Sequence, residues 1–236
     1  MAAHGPSAVA AILVAAGSGE RLRADVPKAF VEVGGQTLAE RAVRRFGAHP
    51  SVGRVVLVVP ADRAESAADR LRPFAAELVV VPGGATRQAS VAAGLAALAP
   101  DTEYVLVHDV ARAFVPDSVI DAVVAALADG ADAVVPVVAI ADTVRRGQPG
   151  AVLDGVVDRS TLVAVQTPQG FRRAVLVAAH ERAETTATDD AALVEALGHD
   201  VVSVPGAETA FKITTPHDLA RAEFLAAQSS TPGGMP

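Results

Sequence analysis

The residues best suited to chemistry appear first in LVAAGSGERLRADVPKAF, residues 13–30, where an apolar segment leads into two glycines and then Arg21, Arg23 and Lys28. Glycines let backbone N–H groups approach an anion, and a glycine turn after the first strand of an α/β sheet usually binds phosphates. The formal net charge of the chain is −7, so these cations are a local concentration. We therefore predict a small phosphorylated ligand at this loop.

Two familiar phosphate-binding loops do not fit these residues. The dinucleotide fingerprint needs glycine where Leu22 stands, and an acidic residue after the second strand, whereas Glu40 falls in a predicted helix. A Walker A loop needs Gly-Lys-Ser or Gly-Lys-Thr, which the sequence lacks. What remains is a glycine loop with its own cations, Arg21 and Lys28. This suits nucleotidyl transfer, because fixed cations stabilise the charge that develops on the α-phosphate and on departing pyrophosphate.

Lysine is rare in this chain, since Lys28 and Lys212 are the only lysines among 20 basic residues. An ammonium group reaches a single point, whereas a guanidinium is a planar fork, so a site that needs the former does not always accept the latter. Both lysines are therefore candidate functional residues. Chance retention of two lysines is the alternative interpretation.

Two further stretches follow predicted strands and should lie at the same edge of a sheet. VPGGATRQASVAAGL (81–95) combines small residues with Ser90, which suits a flat base, although an ordinary turn with a helix cap explains the pattern as well. VHDVAR (107–112) supplies His108, Asp109 and Arg112. Magnesium in nucleotide sites takes one or two carboxylates plus phosphates and waters, so Asp109 is the predicted metal ligand, a solvated aspartate being the alternative.

The elements that must position these residues alternate between short apolar runs and segments of helical period. This pattern is typical of a parallel sheet flanked by helices, an α/β fold. The predicted strands are 10–15, 54–59, 77–81, 104–108, 132–138 and 200–204. The predicted helices are about 37–48, 61–72, 86–98, 117–128, 172–183, 189–197 and 216–227, with start signals at Thr37, Pro116-Asp117 and Thr188.

Residues 138–165 break that pattern, because apolar and polar residues alternate on both sides of GQPG. Such alternation around a turn predicts a β-hairpin. An isolated hairpin is only marginally stable in water, so we expect it to pack on something else. A second subunit and the hairpin's own domain are equally compatible with the periodicity.

Composition limits the class of protein. The 236 residues suit one large α/β domain, here 1–236 with a disordered tail at about 228–236, and the longest apolar run, Val9–Ala16, is too short to span a membrane. The absence of a basic leading segment predicts a cytoplasmic protein. With no cysteine there is no disulfide or thiolate chemistry, and the acidic balance argues against nucleic acid as a partner.

Taken in order, a set of motifs makes the chain resemble the 2-C-methyl-D-erythritol 4-phosphate cytidylyltransferase family over about residues 9–226. The motifs are AAGSGERL…PK, GGATRQASV, VHDVAR, DTV, VDR, QTPQ, TDDA and FKITTPHDL. The resemblance implies a Rossmann-like, mainly parallel sheet of the nucleotide-diphospho-sugar transferase type with a protruding β-hairpin arm, about 138–161, through which a homodimer forms. It also implies the reaction of CTP with methylerythritol phosphate, with Mg²⁺, in non-mevalonate isoprenoid biosynthesis.

The resemblance further implies roles for individual residues. Arg21 and Lys28 would stabilise the pentacovalent α-phosphate, Lys212 would neutralise the reacting phosphates, and Asp109 would hold magnesium. The residues implied to bind CTP are Ala15, Ala16, Gly17, Gly84, Ala85 and Ser90. Those implied to bind methylerythritol phosphate are Arg112, Thr167 and Thr188, joined by Thr143 and Arg159 from the other subunit's arm.

Some residues and some related activities limit this interpretation. Val14, Ala113 and Phe211 stand where the family commonly has proline, proline and a polar residue, although none of them removes a charge. Ribitol-5-phosphate cytidylyltransferase is the nearest alternative, because it shares nearly every motif and differs in the polyol pocket. A non-catalytic nucleotide-binding regulator would have no reason to keep Arg21, Lys28, Asp109 and Lys212 together. A fused bifunctional form is not expected, since no second catalytic domain follows.

Overall fold

The computed structural model describes residues 8–17, 22, 26–183 and 187–229. Its strands are β1 Val9–Val14, β2 Glu32–Val33, β3 Gln36–Thr37, β4 Arg54–Val59, β5 Leu78–Pro82, β6 Tyr104–Asp109, β7 Ala133–Ala139, β8 Val144–Arg145, β9 Val156–Val157, β10 Val163–Val165, β11 Gln169–Arg172 and β12 Val201–Pro205. Its α-helices are α1 Leu38–Gly47, α2 Ala64–Leu71, α3 Arg87–Ala96, α4 Asp117–Ala128, α5 Arg173–Arg182, α6 Asp190–Ala196 and α7 Pro216–Ser229.

The main sheet is mostly parallel, as predicted. Its strands run in the order β5, β4, β1, β6, β11 and β7. Strand β7 has partners on both of its edges. Strands β11 and β10 pair with its earlier and later residues along one edge, and β12 pairs along the other edge. Within this sheet only β10 and β11 are antiparallel to their neighbours in the described chain. Strand β10 lies on the return side of the hairpin predicted at 138–165 and pairs with 137–139. The sequence did not predict β11, whose partners in β6 and β7 are distant in sequence.

Helices cover both faces of this sheet, because its central strands are apolar on both sides. One buried cluster joins the sheet to α1, α2 and α4, and the other joins it to α3, α5 and α6. At Gly170 of β11 an added β-carbon would overlap Val123 of α4, so glycine permits that helix to lie directly on the inserted strand. Helix α7 packs on β2 in a third, smaller cluster.

Several boundaries differ from those predicted, and three of the differences bear on function. Helix α7 continues to Ser229, two residues beyond its predicted end at about 227, and the residues after it lie outside the described part of the chain. The side chain of Asp189, not Thr188, caps α6 by accepting a hydrogen bond from the N–H of Ala192. Within 138–165 the antiparallel pairing is interrupted: β10 pairs with the end of β7 at the base of the predicted hairpin, and β8 pairs with β9 further out.

No helix in the described ranges combines the length and apolar character that crossing a membrane requires.

The parallel strands β1, β4, β5 and β6 bring their carboxyl ends to one edge of the sheet. In such sheets ligands bind at that edge.

Candidate active site

A cleft of about 700 Å³ opens at this edge, between the ends of β1 and β6 and the start of α3. Chain segments far apart in sequence meet there, including the short turn that carries Lys28 and the loop before α7 that carries Lys212. The cleft brings together many of the residues singled out from the sequence: Ala15, Ala16, Gly17, Lys28, Gly84, Ala85, Ser90, Asp109 and Lys212.

The loop between β5 and α3 forms one wall of the cleft, and Ser90 holds it in shape. The Ser90 hydroxyl accepts a hydrogen bond from Gly84 N at 3.2 Å and donates one to Thr86 O at 2.9 Å. A β-carbon at Gly83 would overlap the side chain of Ala16 and lie 2.9 Å from Ser90 Oγ. The wall is therefore largely backbone, closely packed against the end of β1.

Asp109 ends β6 and carries a carboxylate that two cations contact. Lys212 Nζ lies 2.6 Å from Asp109 Oδ2, and Arg87 Nε lies 3.2 Å from Oδ1. Burial by itself raises the pKa of the Asp109 carboxyl, but Arg87 and Lys212 outweigh it and hold the pKa well below its ordinary value. Asp109 is therefore ionised at every pH at which the protein would work.

Arg87 is a cleft residue that the sequence reasoning missed. It is the first residue of α3, and its NH1 donates a hydrogen bond to Asp190 Oδ2 at 2.7 Å. Burial would lower the pKa of Arg87, but Asp190 and Asp109 outweigh that effect and raise it. The available signal was an arginine inside GGATRQASV at the start of a helix, beside a predicted phosphate loop.

His108 and Thr167 lie behind Asp109. The His108 ring is fully buried, its centroid 4.8 Å from that of Phe46, and its Nδ1 lies 3.0 Å from Thr167 Oγ1. The same threonine oxygen accepts a hydrogen bond from Asp109 N at 3.1 Å. Burial lowers the pKa of His108 to about 4, so the ring is neutral near pH 7.

Arg112 and Gln166 connect the loops around the cleft. Arg112 NH1 donates to Ala210 O at 2.9 Å and its NH2 to Val165 O at 3.3 Å. Gln166, a second residue missed by the sequence reasoning, forms a two-way pair with the backbone of Ala207. These contacts hold the segment that leads to Lys212 against the segment that carries Thr167.

The remaining predicted residues lie in other parts of the chain. Thr188 precedes α6 and does not line the cleft. Thr143 and Arg159 lie in the exposed region of the hairpin, beside β8 and after β9. Arg21 lies outside the described residues.

A divalent metal would have Asp109 as its protein ligand in this cleft. Among the described residues no group of three His, Asp or Glu side chains forms a cage for an ion. One carboxylate at the floor of a cleft fits Mg²⁺, which binds few protein oxygens and takes the rest of its ligands from phosphates and water. Asp109 therefore fits a metal that arrives with a nucleotide.

Comparison with known proteins gives one consistent result. A sequence model described as IspD, 2-C-methyl-D-erythritol 4-phosphate cytidylyltransferase, matches residues 9–228. Relatives bearing that enzyme name include one from Streptomyces coelicolor, 46% identical over 96% of this chain and 88% of its own, and one from Rhodococcus opacus, 48% identical over 94% and 97%.

Solved structures agree with the sequence relatives. The enzyme of that name from Thermus thermophilus is 41% identical, with a TM-score of 0.76 over 92% of this chain and 98% of its own. The 4-diphosphocytidyl-2C-methyl-D-erythritol synthase from Anaerococcus prevotii is 30% identical, with a TM-score of 0.82 over 93% and 96%.

Proposed function

The chain belongs to the 2-C-methyl-D-erythritol 4-phosphate cytidylyltransferase family, and from this premise we propose that it transfers CMP from CTP to 2-C-methyl-D-erythritol 4-phosphate. The products are 4-diphosphocytidyl-2-C-methyl-D-erythritol and pyrophosphate, within non-mevalonate isoprenoid biosynthesis. The observation that carries the proposal is the cleft in which Lys28, Lys212 and Asp109 face two small-residue loops.

In this reaction a phosphate oxygen of the polyol attacks the α-phosphorus of CTP. A new P–O bond forms there while the bond to the β-phosphate oxygen breaks, and the electron pair leaves with pyrophosphate. Negative charge accumulates at the α-phosphate, so Lys28 and Lys212, with Arg21, would stabilise the transition state more than the ground state. Asp109 would hold the divalent ion, which we propose to be Mg²⁺ and which supplies positive charge to the phosphates.

The nucleotide base would bind against the loop between β5 and α3. Gly84 and Ala85 of this loop, together with Ala15, Ala16 and Gly17 after β1, present backbone groups and small side chains there, and Ser90 holds Gly84 in place. We propose that the space beside this loop accepts a pyrimidine and excludes a purine. Cytosine has an N4 donor where uracil has an acceptor, and a mismatched polar group in a closed site costs about 1 to 3 kcal/mol.

The methylerythritol phosphate would bind beside Arg112, Thr167 and Thr188. We propose that Thr143 and Arg159 complete this pocket from the other protomer of a homodimer. Exposed apolar side chains in and beside the hairpin support this, because Val152 is 98% exposed and Val156 61% exposed in one protomer. Burial of such a patch against a second copy is favourable.

The cellular setting follows from the substrates and the charge. We propose a cytoplasmic enzyme that acts on small phosphorylated molecules and binds neither membrane nor nucleic acid, since the net charge is −7 and binding to a phosphate backbone needs a basic face. Ribitol-5-phosphate cytidylyltransferase is not favoured, because the relatives named above carry the methylerythritol phosphate activity in their names.

Pyrophosphate release tests the function directly. We expect turnover that requires CTP, a divalent metal and 2-C-methyl-D-erythritol 4-phosphate, with UTP poor and ATP inactive. D-ribitol 5-phosphate is the control acceptor, measured at the same concentrations. Faster turnover with ribitol phosphate, or equal use of ATP, would contradict the assignment.

A further inference from the structure

A network of paired polar side chains runs from the cleft into the protein behind it. Arg87 contacts Asp109 with Nε at 3.2 Å and Asp190 with NH1 at 2.7 Å. The other oxygen of Asp190 lies 2.9 Å from His180 Nε2. The Asp190 side chain is 1% exposed and that of His180 6%, whereas the Arg87 side chain is 29% exposed at the cleft.

The order of burial shows which end of this series of contacts is fixed. A buried carboxylate needs partners on both oxygens, and Arg87 and His180 supply them to Asp190. The guanidinium is a rigid planar fork, so anchoring NH1 on Asp190 also sets the direction in which Nε points. Nε points at Asp109.

The second cation on Asp109 is placed differently. Lys212 precedes α7, its side chain is 40% exposed, and it holds Asp109 through one ammonium. When phosphates occupy the cleft, an exposed flexible ammonium is the cation that can move towards them. Arg87, which is tied to a buried anion, would stay.

We propose that Arg87 is a positioning residue, which holds the Asp109 carboxylate in place for the phosphate-bound metal, and that Asp190 with His180 holds Arg87. The inference rests on the proposed function, since it concerns how Asp109 performs its part. It assigns a purpose to three residues, Arg87, His180 and Asp190, that lie in or behind the cleft and do not themselves react. Residues that orient a metal ligand in this way typically change metal affinity or activity 10- to 100-fold when altered.

Two substitutions and two matched controls test the proposal. Arg87→Lys keeps the charge but loses the fork, and Asp190→Asn keeps the shape but loses the anchoring charge. Arg54→Lys is the control for the first, because Arg54 is 30% exposed and forms a 3.2 Å ion pair with Glu77 far from the cleft. Asp132→Asn is the control for the second, because Asp132 also lies between an arginine and a histidine, Arg172 and His199.

We expect Arg87→Lys and Asp190→Asn each to lower kcat about 10- to 100-fold, with KM for methylerythritol phosphate within about threefold of wild type. The kcat of the double variant should be within about twofold of that of the less active single variant, because both changes break the same series of contacts. The two controls should keep the wild-type kcat. Thermal unfolding of every variant separates these effects from loss of the folded state.

A binding measurement without turnover completes the test. Calorimetry measures the dissociation constant of CTP with no acceptor present, once in EDTA and once in Mg²⁺. The constant in EDTA divided by that in Mg²⁺ reports how much the metal strengthens CTP binding. This ratio should fall at least about fivefold in Arg87→Lys and Asp190→Asn but not in the controls. Wild-type ratios and kcat in a folded Arg87→Lys or Asp190→Asn protein would overturn the inference. If the wild type releases no pyrophosphate, the proposed function fails, whereas the ratios still decide the role of Arg87.

Discussion

Charge at the floor of the cleft is arranged so that cations and carboxylates pair before any substrate binds. Asp109 is ionised between Lys212 and Arg87, and Arg87 is shared with Asp190. A phosphate that enters therefore competes with carboxylates for cations that already lie in the cleft. At the scale of single residues, each cation contributes to catalysis by the amount that its interaction free energy with the transition state exceeds that with the ground state.

Replacement of Lys28 tests that difference. If Lys28 acts on charge that develops at the α-phosphate, Lys28→Ala should lower kcat by roughly 10²-fold or more and leave CTP affinity within a few-fold. Lys28→Arg should not restore the rate, because the guanidinium is longer and planar. Steady-state kinetics together with calorimetric CTP binding give both quantities. A normal kcat with weakened CTP binding would mean that Lys28 only holds the substrate.

His108 predicts how stability depends on pH. Its pKa falls from 6.5 to about 4 on folding because the ring is buried, so between those values the unfolded state binds the additional proton. The titration of His108 leaves stability unchanged above about pH 6.5 and lowers it as the pH falls, by about 3 kcal/mol at pH 4.

Urea unfolding of wild type and His108→Asn from pH 7 to pH 4.5 measures this effect. The variant should be less stable at pH 7, since it loses the buried ring and its packing against Phe46, but its stability should fall less steeply with decreasing pH. Parallel curves for the two proteins would show that His108 does not titrate differently in the folded state.

Residue types and their positions in the sequence located much of the cleft. Both lysines, Asp109 and the two glycine stretches meet there because each lies at or beside the end of a parallel strand or the start of a helix, and such ends converge. Arg87 could not be identified in this way. Its position depends on Asp190, which is 103 residues away, and no local pattern encodes a contact of that length.

At the scale of elements, the loop from β5 to α3 lies tightly against the end of β1. Its shape depends on Gly83, where a β-carbon would overlap Ala16. It depends also on Ser90, whose hydroxyl joins Gly84 to Thr86. A change in either should move the wall of the cleft as a unit.

We expect Gly83→Ala to raise KM for CTP at least about tenfold, because the added methyl group must push this loop away from β1. Gly47→Ala is the matched control. Gly47 ends α1 outside the cleft, and an added β-carbon would lie 2.6 Å from Ala75 Cβ. Both variants should unfold at lower temperature, but only the first should lose CTP affinity. Equal KM values for the two would show that the loop adapts.

The elements also show where prediction from sequence stops. Strands with long apolar runs and helices with clear periods agree with the structure to within about three residues at each end. Strand β11 was missed because it is only four residues long and its partners in β6 and β7 are distant in sequence. The cap of α6 was assigned to Thr188 instead of Asp189 because both residue types accept hydrogen bonds from a helix start.

At the scale of the whole molecule, the hairpin predicts active sites shared between two chains. If Arg159 acts in the partner's site, the Lys28→Ala and Arg159→Ala homodimers should both be nearly inactive. Unfolding them together and refolding should give mixed dimers in which one site lacks both residues and the other is intact. Random pairing makes half of the dimers mixed, so activity should recover to about a quarter of wild type.

Native mass spectrometry of the refolded mixture provides the control, since tagged chains of unequal mass report the mixed dimer directly. Lys28→Ala refolded with Asp109→Asn should recover nothing, because both residues lie in one protomer's cleft. If the first mixture stays inactive although mixed dimers form, Arg159 acts within its own chain or the hairpin does not bridge subunits.

The contact of the segment before α7 with the loop after β6 has a consequence for biosynthesis. Ile213 N donates to Ala111 O at 2.9 Å, which places Lys212 against Asp109, and α7 then packs on β2. A chain that grows from its amino end forms the glycine loops and the Asp109 floor early, but it receives its second lysine only when residue 212 leaves the ribosome. The cleft is therefore completed only when the segment before α7 has left the ribosome and packed against the loop after β6, and we expect full activity only after that step.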